Sequence, residues 1–141
     1  MIKDLLNKII GKLQAESDLA GITWHYGEPI KWGRADKGEG YVSLAPLEEQ
    51  RVEPLMRGDR HIMSVVVGIA YRHIDEKVCD QWVHDKSEVV WQVFKANENW
   101  DGLVSESHLI GYIFIPGREA DYAFDMMISR LRVDKEVYPS S

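Results

Sequence analysis

Five histidines (His25, His61, His73, His84 and His108) and one cysteine, Cys79, are the side chains in this chain best suited to hold a metal or attack an electrophile. Their spacing supports neither. No two histidines stand four residues apart, and no HExxH sequence occurs, so a helical zinc site has no sequence basis. His73 and His84 could approach each other across a strand-helix junction, but isolated histidines carry no spacing information, and surface or capping roles are the plainer reading. A single cysteine excludes an internal disulfide and a cysteine-based zinc site. Cys79 falls on the apolar side of a helix, where a thiol behaves as a small buried hydrophobe. No G-x-S-x-G elbow is present. Gly33, Gly38 and Gly40 sit in a polar linker with no helix after them, so they do not make a phosphate-binding loop. No catalytic, cofactor-binding or metal-ligating residue is assigned, and the expectation is a protein that is not an enzyme and carries no cofactor.

Bulk properties narrow the remaining classes. The 141 residues carry 17 Lys and Arg against 23 Asp and Glu, a net charge of -6. That balance opposes phosphate binding and lets nucleic acid pass without adhering. Hydrophobic residues make up 45% of the chain, which suits one globular domain burying about 70% of its unfolded surface. No apolar run reaches the roughly 18 residues of a membrane helix, and no signal-peptide core opens the chain. A reducing, intracellular setting without membrane contact is the expectation.

Periodicity then places the elements. Leu5, Leu6, Ile9, Ile10 and Leu13 share one face of a helix over Lys3 to Glu16. Ile22 to Ile30 reads as extended, Lys31 to Gly40 as a glycine-rich linker, and Tyr41 to Ala45 as a short strand stopped by Pro46. Arg60 to His73 is the strongest strand. Met63, Val65, Val67, Ile69 and Tyr71 form a large apolar face, backed by the mostly small set Ile62, Ser64, Val66, Gly68 and Ala70, which suits close approach of a neighbour. Asp75 is a suitable N-cap for a second helix of about 20 residues and about 30 Å. Lys86 interrupts that helix's apolar stripe and predicts a bend or a change of partner. Leu103 to Pro116 and Tyr122 to Val133 read as a C-terminal antiparallel hairpin, and 136–141 as a frayed tail. The fold class is α+β: a mostly antiparallel sheet packed by an N-terminal helix and one long central helix.

Two features bear on function. Residues 47–59 have dense charge and no clean period, and the segment exceeds the usual connection length. It reads either as a mobile charged arm with apolar anchors or as a plain solvated hairpin loop. Five tryptophans (Trp24, Trp32, Trp82, Trp91 and Trp100) are many for this size. Core packing is the default for each, Trp82 above all, with an interface role expected for at least one. Two helices also cannot cover both faces of so long a sheet, and a strand edge left over invites pairing with another chain.

The helix LLNKIIGKL, the strand YVSLAP after a glycine-rich linker, the charged stretch EEQRVEPLMRGDR, and the strands HIMSVVVGIAYRHI and ADYAFDMMISRLRV follow an order that resembles the tail terminator (tail completion) proteins of long-tailed bacteriophages. The resemblance spans about Ile2 to Val137 and is one of pattern, because that family has no invariant catalytic motif. It implies a virion protein of the tail or neck, assembled in the host cytoplasm. Its implied form is a homo-oligomeric ring, usually a hexamer, that caps the tail tube, ends tube polymerisation and offers a surface to the head connector or stopper. DNA would only pass through the lumen. On this reading Glu48, Glu49, Arg51, Leu55, Met56, Arg57 and Arg60 contact the neighbouring subunit or the tube, and removal of the arm leaves the fold intact. Two rivals remain. One is another neck or head-closure protein; the other is a small enzyme or ligand-binding α+β domain with a pocket lined by Tyr71, His73 and Trp82.

Overall fold

A computed structural model describes residues 2–27, 37–46 and 49–139. Helix α1 (Ile2–Ala15) buries Leu5, Leu6, Ile9 and Leu13, the face its spacing dictates. A 3-10 turn (Ser17–Leu19) leads into β1 (Thr23–Tyr26), which runs parallel to β2 (Glu39–Leu44). β3 (Arg51–Leu55) and β4 (Gly58–His73) follow, then α2 (Glu76–Ala96), β5 (Glu106–Ile115), the short β6 (Arg118–Glu119) and β7 (Tyr122–Val137). The fold is α+β with a mixed seven-stranded sheet in the order β1-β2-β4-β7-β5; β3 pairs with β4 and β6 with β7.

β4 and β7 are the axis of the sheet. They pair antiparallel without a break from Asp59↔Val137 to His73↔Ala123. Along the opposite side of β4, two strands lie end to end: β2 covers Val65 to Ala70 and β3 covers Gly58 to Ile62. Both helices lie on one face of the sheet, α1 over β1 and β2, and α2 over β4, β5 and β7. The core between the layers contains Met63, Val65, Val67 and Ile69 from β4, Met127, Leu131 and Val133 from β7, and Val83, Val90, Val93 and Phe94 from α2.

The ends of α2 are fixed by its sequence. The Asp75 carboxylate accepts hydrogen bonds from the Lys77 and Val78 amides at 2.9 and 3.3 Å, satisfying donors that a helix start leaves unpaired. After Ala96 the chain turns through three positive φ angles, at Trp100, Asp101 and Gly102. The turn drives Trp100 to 0% exposure, where its indole N–H donates to Ser107 Oγ at 2.9 Å. Lys8 and Lys12 of α1 both reach Asp101, at 3.4 and 3.1 Å. Their hydrogen bonds hold the Asp101 carboxyl below its ordinary range, Lys12 most strongly. α2 is continuous through Lys86, whose ammonium group reaches the Asp18 carbonyl at 2.7 Å.

The second face of β4 has small residues because a ring lies on it. A Cβ at Gly68 would stand 2.1 Å from Tyr41 Cε1. Tyr41, Ala45 and Val66, with Ile128 against them, form a small second cluster there.

Three sequence expectations are corrected. The segment 47–59 is not a loop throughout: Arg51–Leu55 is β3, joined to β4 by a two-residue turn at Met56 and Arg57. RVEPL is too short to show a sustained period, and neither face of β3 is fully buried, so burial does not mark it as a strand. Removing this segment would strip a strand from β4, so it is not separable from the fold. The tail from 136 is not frayed where it is described. β7 continues to Val137, with Glu136 opposite Arg60. The sheet is mostly antiparallel, as expected: among the described residues five of its six strand pairings are antiparallel, and β1 with β2 is parallel. The C-terminal hairpin is interrupted, since β6 folds back on β7 before the main β5–β7 pairing begins.

Replacing Gly68 with Ala should lower stability by about 1–3 kcal/mol through overpacking against Tyr41. Chemical denaturation of Gly68→Ala beside Gly111→Ala, where a Cβ meets nothing within 4 Å, measures it. Equal stability of the two variants would contradict the packing described.

Candidate interaction surface

Besides the two-residue β6, three strands have an outer side unpaired among the described residues: β1, β3 and β5. Two of them are poor templates for another chain. β1 has four residues. β3 has five, alternates Arg51 and Glu53, and contains Pro54, which offers no N–H. β5 is different: it has ten residues, and from Leu109 to Ile115 it contains neither a charge nor a proline. A bulge at Ile110 divides it, and Gly111 to Ile115 then runs in regular register with β7.

The side chains around this edge are apolar and wet. Ile113 is 57% exposed and Tyr112 58%, with Ile110 and Ile115 also exposed. Ile113 stands opposite Ile128, and Ile115 opposite Met126, on the face that carries no helix. Tyr112 and Phe114 point the other way, Tyr112 against Trp91 (ring centroids 4.4 Å apart) and Phe114 against His84 (4.5 Å). Trp91 is fixed by its indole N–H, which donates to Ser129 Oγ at 2.9 Å. Along the helix side of the same edge runs a groove of about 330 Å³, lined by Trp91, Phe94, Lys95, Glu98, Ser107, His108 and Leu109. Exposed apolar side chains and open backbone groups thus coincide along this edge.

The residues expected to make contacts fall in two groups. Glu49 lies over the open face in a bidentate pair with Arg130, both oxygens 2.8 Å from Nη1. Arg51, Leu55, Met56, Arg57 and Arg60 belong to the β3–β4 hairpin; Met56, in its turn, is 100% exposed. Arg60 is not free for a partner, since its guanidinium reaches Glu136 at 3.0 Å and faces Glu53 on the adjoining strand. That hydrogen bond, followed by one from Tyr138, holds the Glu136 carboxyl below its ordinary range. Arg51 lies 4.0 Å from Glu53. Glu48 lies outside the described residues. The structure thus pairs three of these charges within the chain: Glu49 with Arg130, Arg51 with Glu53 on the same strand, and Arg60 with Glu136 across strands.

Sequence reasoning missed the residue that joins β2 to β3. The Gln50 side-chain amide donates to the carbonyls of Ala45 and Ser64, both at 3.2 Å, and accepts from the Ser64 amide at 3.3 Å. It replaces the backbone partner that β4 lacks where the two end-to-end strands meet. No periodicity signals such a role. The apolar β5 edge was legible in LIGYIFI, but its exposure was not.

The remaining candidates for chemistry have local roles. Tyr71 stacks on Trp82 at 4.2 Å and His73 on Tyr71 at 6.0 Å, so the three rings pack on one another where a pocket was considered. His73 Nδ1 accepts from the Asp75 amide at 2.9 Å, and His84 Nδ1 donates to the Asp80 carbonyl at 2.8 Å. His25 lies 2.6 Å from Glu39. Among the described residues no cluster of three or more His, Cys, Asp or Glu could hold a metal. The Cys79 thiol is fully buried and donates to the Tyr71 carbonyl at 3.3 Å; burial, then the nearby Asp125 charge, pushes its pKa up to about 11, so it is not a thiolate at neutral pH.

No protein-family profile and no curated protein sequence matches the chain. Among solved structures it is similar to a chain of the virion of a native gene transfer agent (GTA) particle, at 14% identity and TM-score 0.47, over 92% of this chain and 94% of that one. A second solved chain aligns at 14% identity and TM-score 0.47 over 98% of both. Likeness at this level carries no functional argument.

Gln50→Leu should take a partner from the Ser64 amide and from the Ala45 carbonyl, while the Ser64 carbonyl keeps the Ala45 amide at 3.0 Å, and cost about 1–3 kcal/mol. Faster amide exchange at Ser64 together with a lowered denaturation midpoint is the expected result; unchanged exchange there would mean that the side chain does not bridge the strands.

Proposed function

We propose that this protein is a structural subunit of a virion and not an enzyme. It acts as a tail terminator-type ring that caps the tail tube, ends tube polymerisation and presents a joining surface to the head connector or stopper. The observation that carries this is the unguarded β5 edge with its exposed apolar patch, on a sheet covered by helices on one face only. A chain built to act alone would blunt that edge, as β3 is blunted by Pro54 and its charges.

The topology supports a ring. The two ends of the sheet path differ, a long open β5 and a four-residue β1, so a β5 edge that meets a different surface of the next subunit makes a head-to-tail contact. Head-to-tail contacts close into rings when the rotation per subunit allows it. Six subunits are what the family resemblance implies. The net charge of -6 suits a lumen through which DNA slides. The paired charges of the β3–β4 hairpin make it a stiff projection rather than a mobile arm, with Met56 and Arg57 at its tip for the tube or a neighbouring subunit. A neck or head-closure protein would use the same surfaces, and binding to purified tube protein as against connector protein separates the two readings.

The test is Ile113→Lys, which places a charge on the patch without touching the core. Wild-type protein, alone or with tube protein, should form rings visible by electron microscopy. The variant should keep its circular dichroism spectrum and thermal midpoint, with self-association weakened at least about tenfold, or about 1.4 kcal/mol per interface. Rings that form equally well from the variant would overturn the assignment of this surface.

A further inference from the structure

At the β5–β6 corner two carboxyl groups meet with no cation between them. Asp125 of β7 is 1% exposed. One of its oxygens accepts from the Gly117 amide at 3.3 Å; the other, Oδ2, is buried and unpartnered, as is Oδ1 of Asp80 on α2. The two carboxyl groups lie close enough to hydrogen-bond to each other once one of them carries a proton. Two carboxylates cannot do so, because neither has a hydrogen to give; a carboxylic acid and a carboxylate can.

We infer that Asp80 and Asp125 share a single proton that latches the N-terminal half of α2 to the β5–β6 corner, and that loss of this proton loosens the corner. The groups around the pair bring it no opposite charge. From α2 come Asp80 itself and Cys79, whose neutral thiol hydrogen-bonds to Asp125; Glu76, one turn earlier, is occupied at the rim by Arg118 at 3.7 Å. From β4 comes Tyr71, the ladder partner of Asp125, already stacked on Trp82 and His73. From the corner comes only the Gly117 N–H, and His84 at the rim is turned to the Asp80 carbonyl. Burial, then the interaction with Asp80, raises the Asp125 pKa from 3.8 to about 6, against the opposing pull of the Gly117 amide and the Cys79 thiol. The apparent value belongs to the pair.

The sign follows from linkage. The folded state holds a proton that the unfolded chain has released by about pH 5. This contribution to stability is complete below the unfolded pKa, and it is lost as pH rises through the folded value near 6. Above it, two adjacent buried negative charges favour separation or entry of water. Gly117 lies two residues beyond Ile115, the last residue of β5, so the part of the molecule that loosens is the end of the open edge. This does not depend on the ring proposal.

Amide exchange over 114–119, corrected for the intrinsic pH dependence, tests it at pH 5 and pH 7.5. Wild-type protein should lose at least tenfold in protection at the higher pH. Asp125→Asn keeps an N–H for Asp80 and an oxygen for Gly117 without titrating, and should show equal protection at both. If Asp125→Asn does not fold, Asp80→Asn makes the same comparison with the donor on α2. Protection independent of pH in the wild type, or the same loss in whichever asparagine variant folds, would overturn the latch.

Discussion

The antiparallel ladder between β4 and β7 is the constraint on which the structure depends. Fifteen residue pairs run from one end of the molecule to the other, and every other strand except β1 pairs directly with one of these two. The register fixes both faces at once, because side chains alternate and a slip of one residue would turn Val65, Val67 and Ile69 outward. With the register set, α1 and α2 have one apolar face on which to lie. Gly68 and its small neighbours are then committed to the other side, where Tyr41 fills the space.

Placing both helices on one layer has a direct consequence. The second face is finished only in part, by the Tyr41, Ala45 and Val66 cluster and by charge pairs such as Arg130 with Glu49. Toward β5 the finish stops: Ile113 and Ile115 continue the row of Ile128 and Met126 into solvent. The same strand carries the one long outer side, among the described residues, that has neither proline nor charge along its second half. Apolar side chains and open backbone groups coincide there, and that coincidence, more than either feature alone, points to a partner.

Much of this was legible in the residues. The face of α1, the Asp75 cap, the span of α2 and the two-sided character of β4 follow from period and capping chemistry. β3 was not legible, because so short an edge strand with wet faces shows no sustained period, and its pairing is written in β4 rather than in RVEPL. Gln50, Trp100 and Asp125 were hidden for a related reason. Their roles depend on residues 14, 7 and 45 positions away, Ser64, Ser107 and Asp80, and only the fold brings those together. The expected contact residues illustrate the limit in the other direction. Charge density in 48–60 was visible, but Arg60 and Glu49 already have partners in the chain, and the apolar surface lies on β5 instead.

The claim that β5 keeps its backbone in reserve can be read from its own amides. Exchange along Gly111 to Ile115 should alternate in dilute monomer, with the amides bonded to β7 protected and the outward ones fast. In assembled protein the outward set should slow by orders of magnitude as a second strand pairs with it. Outward amides that exchange equally fast in monomer and assembly would contradict the account.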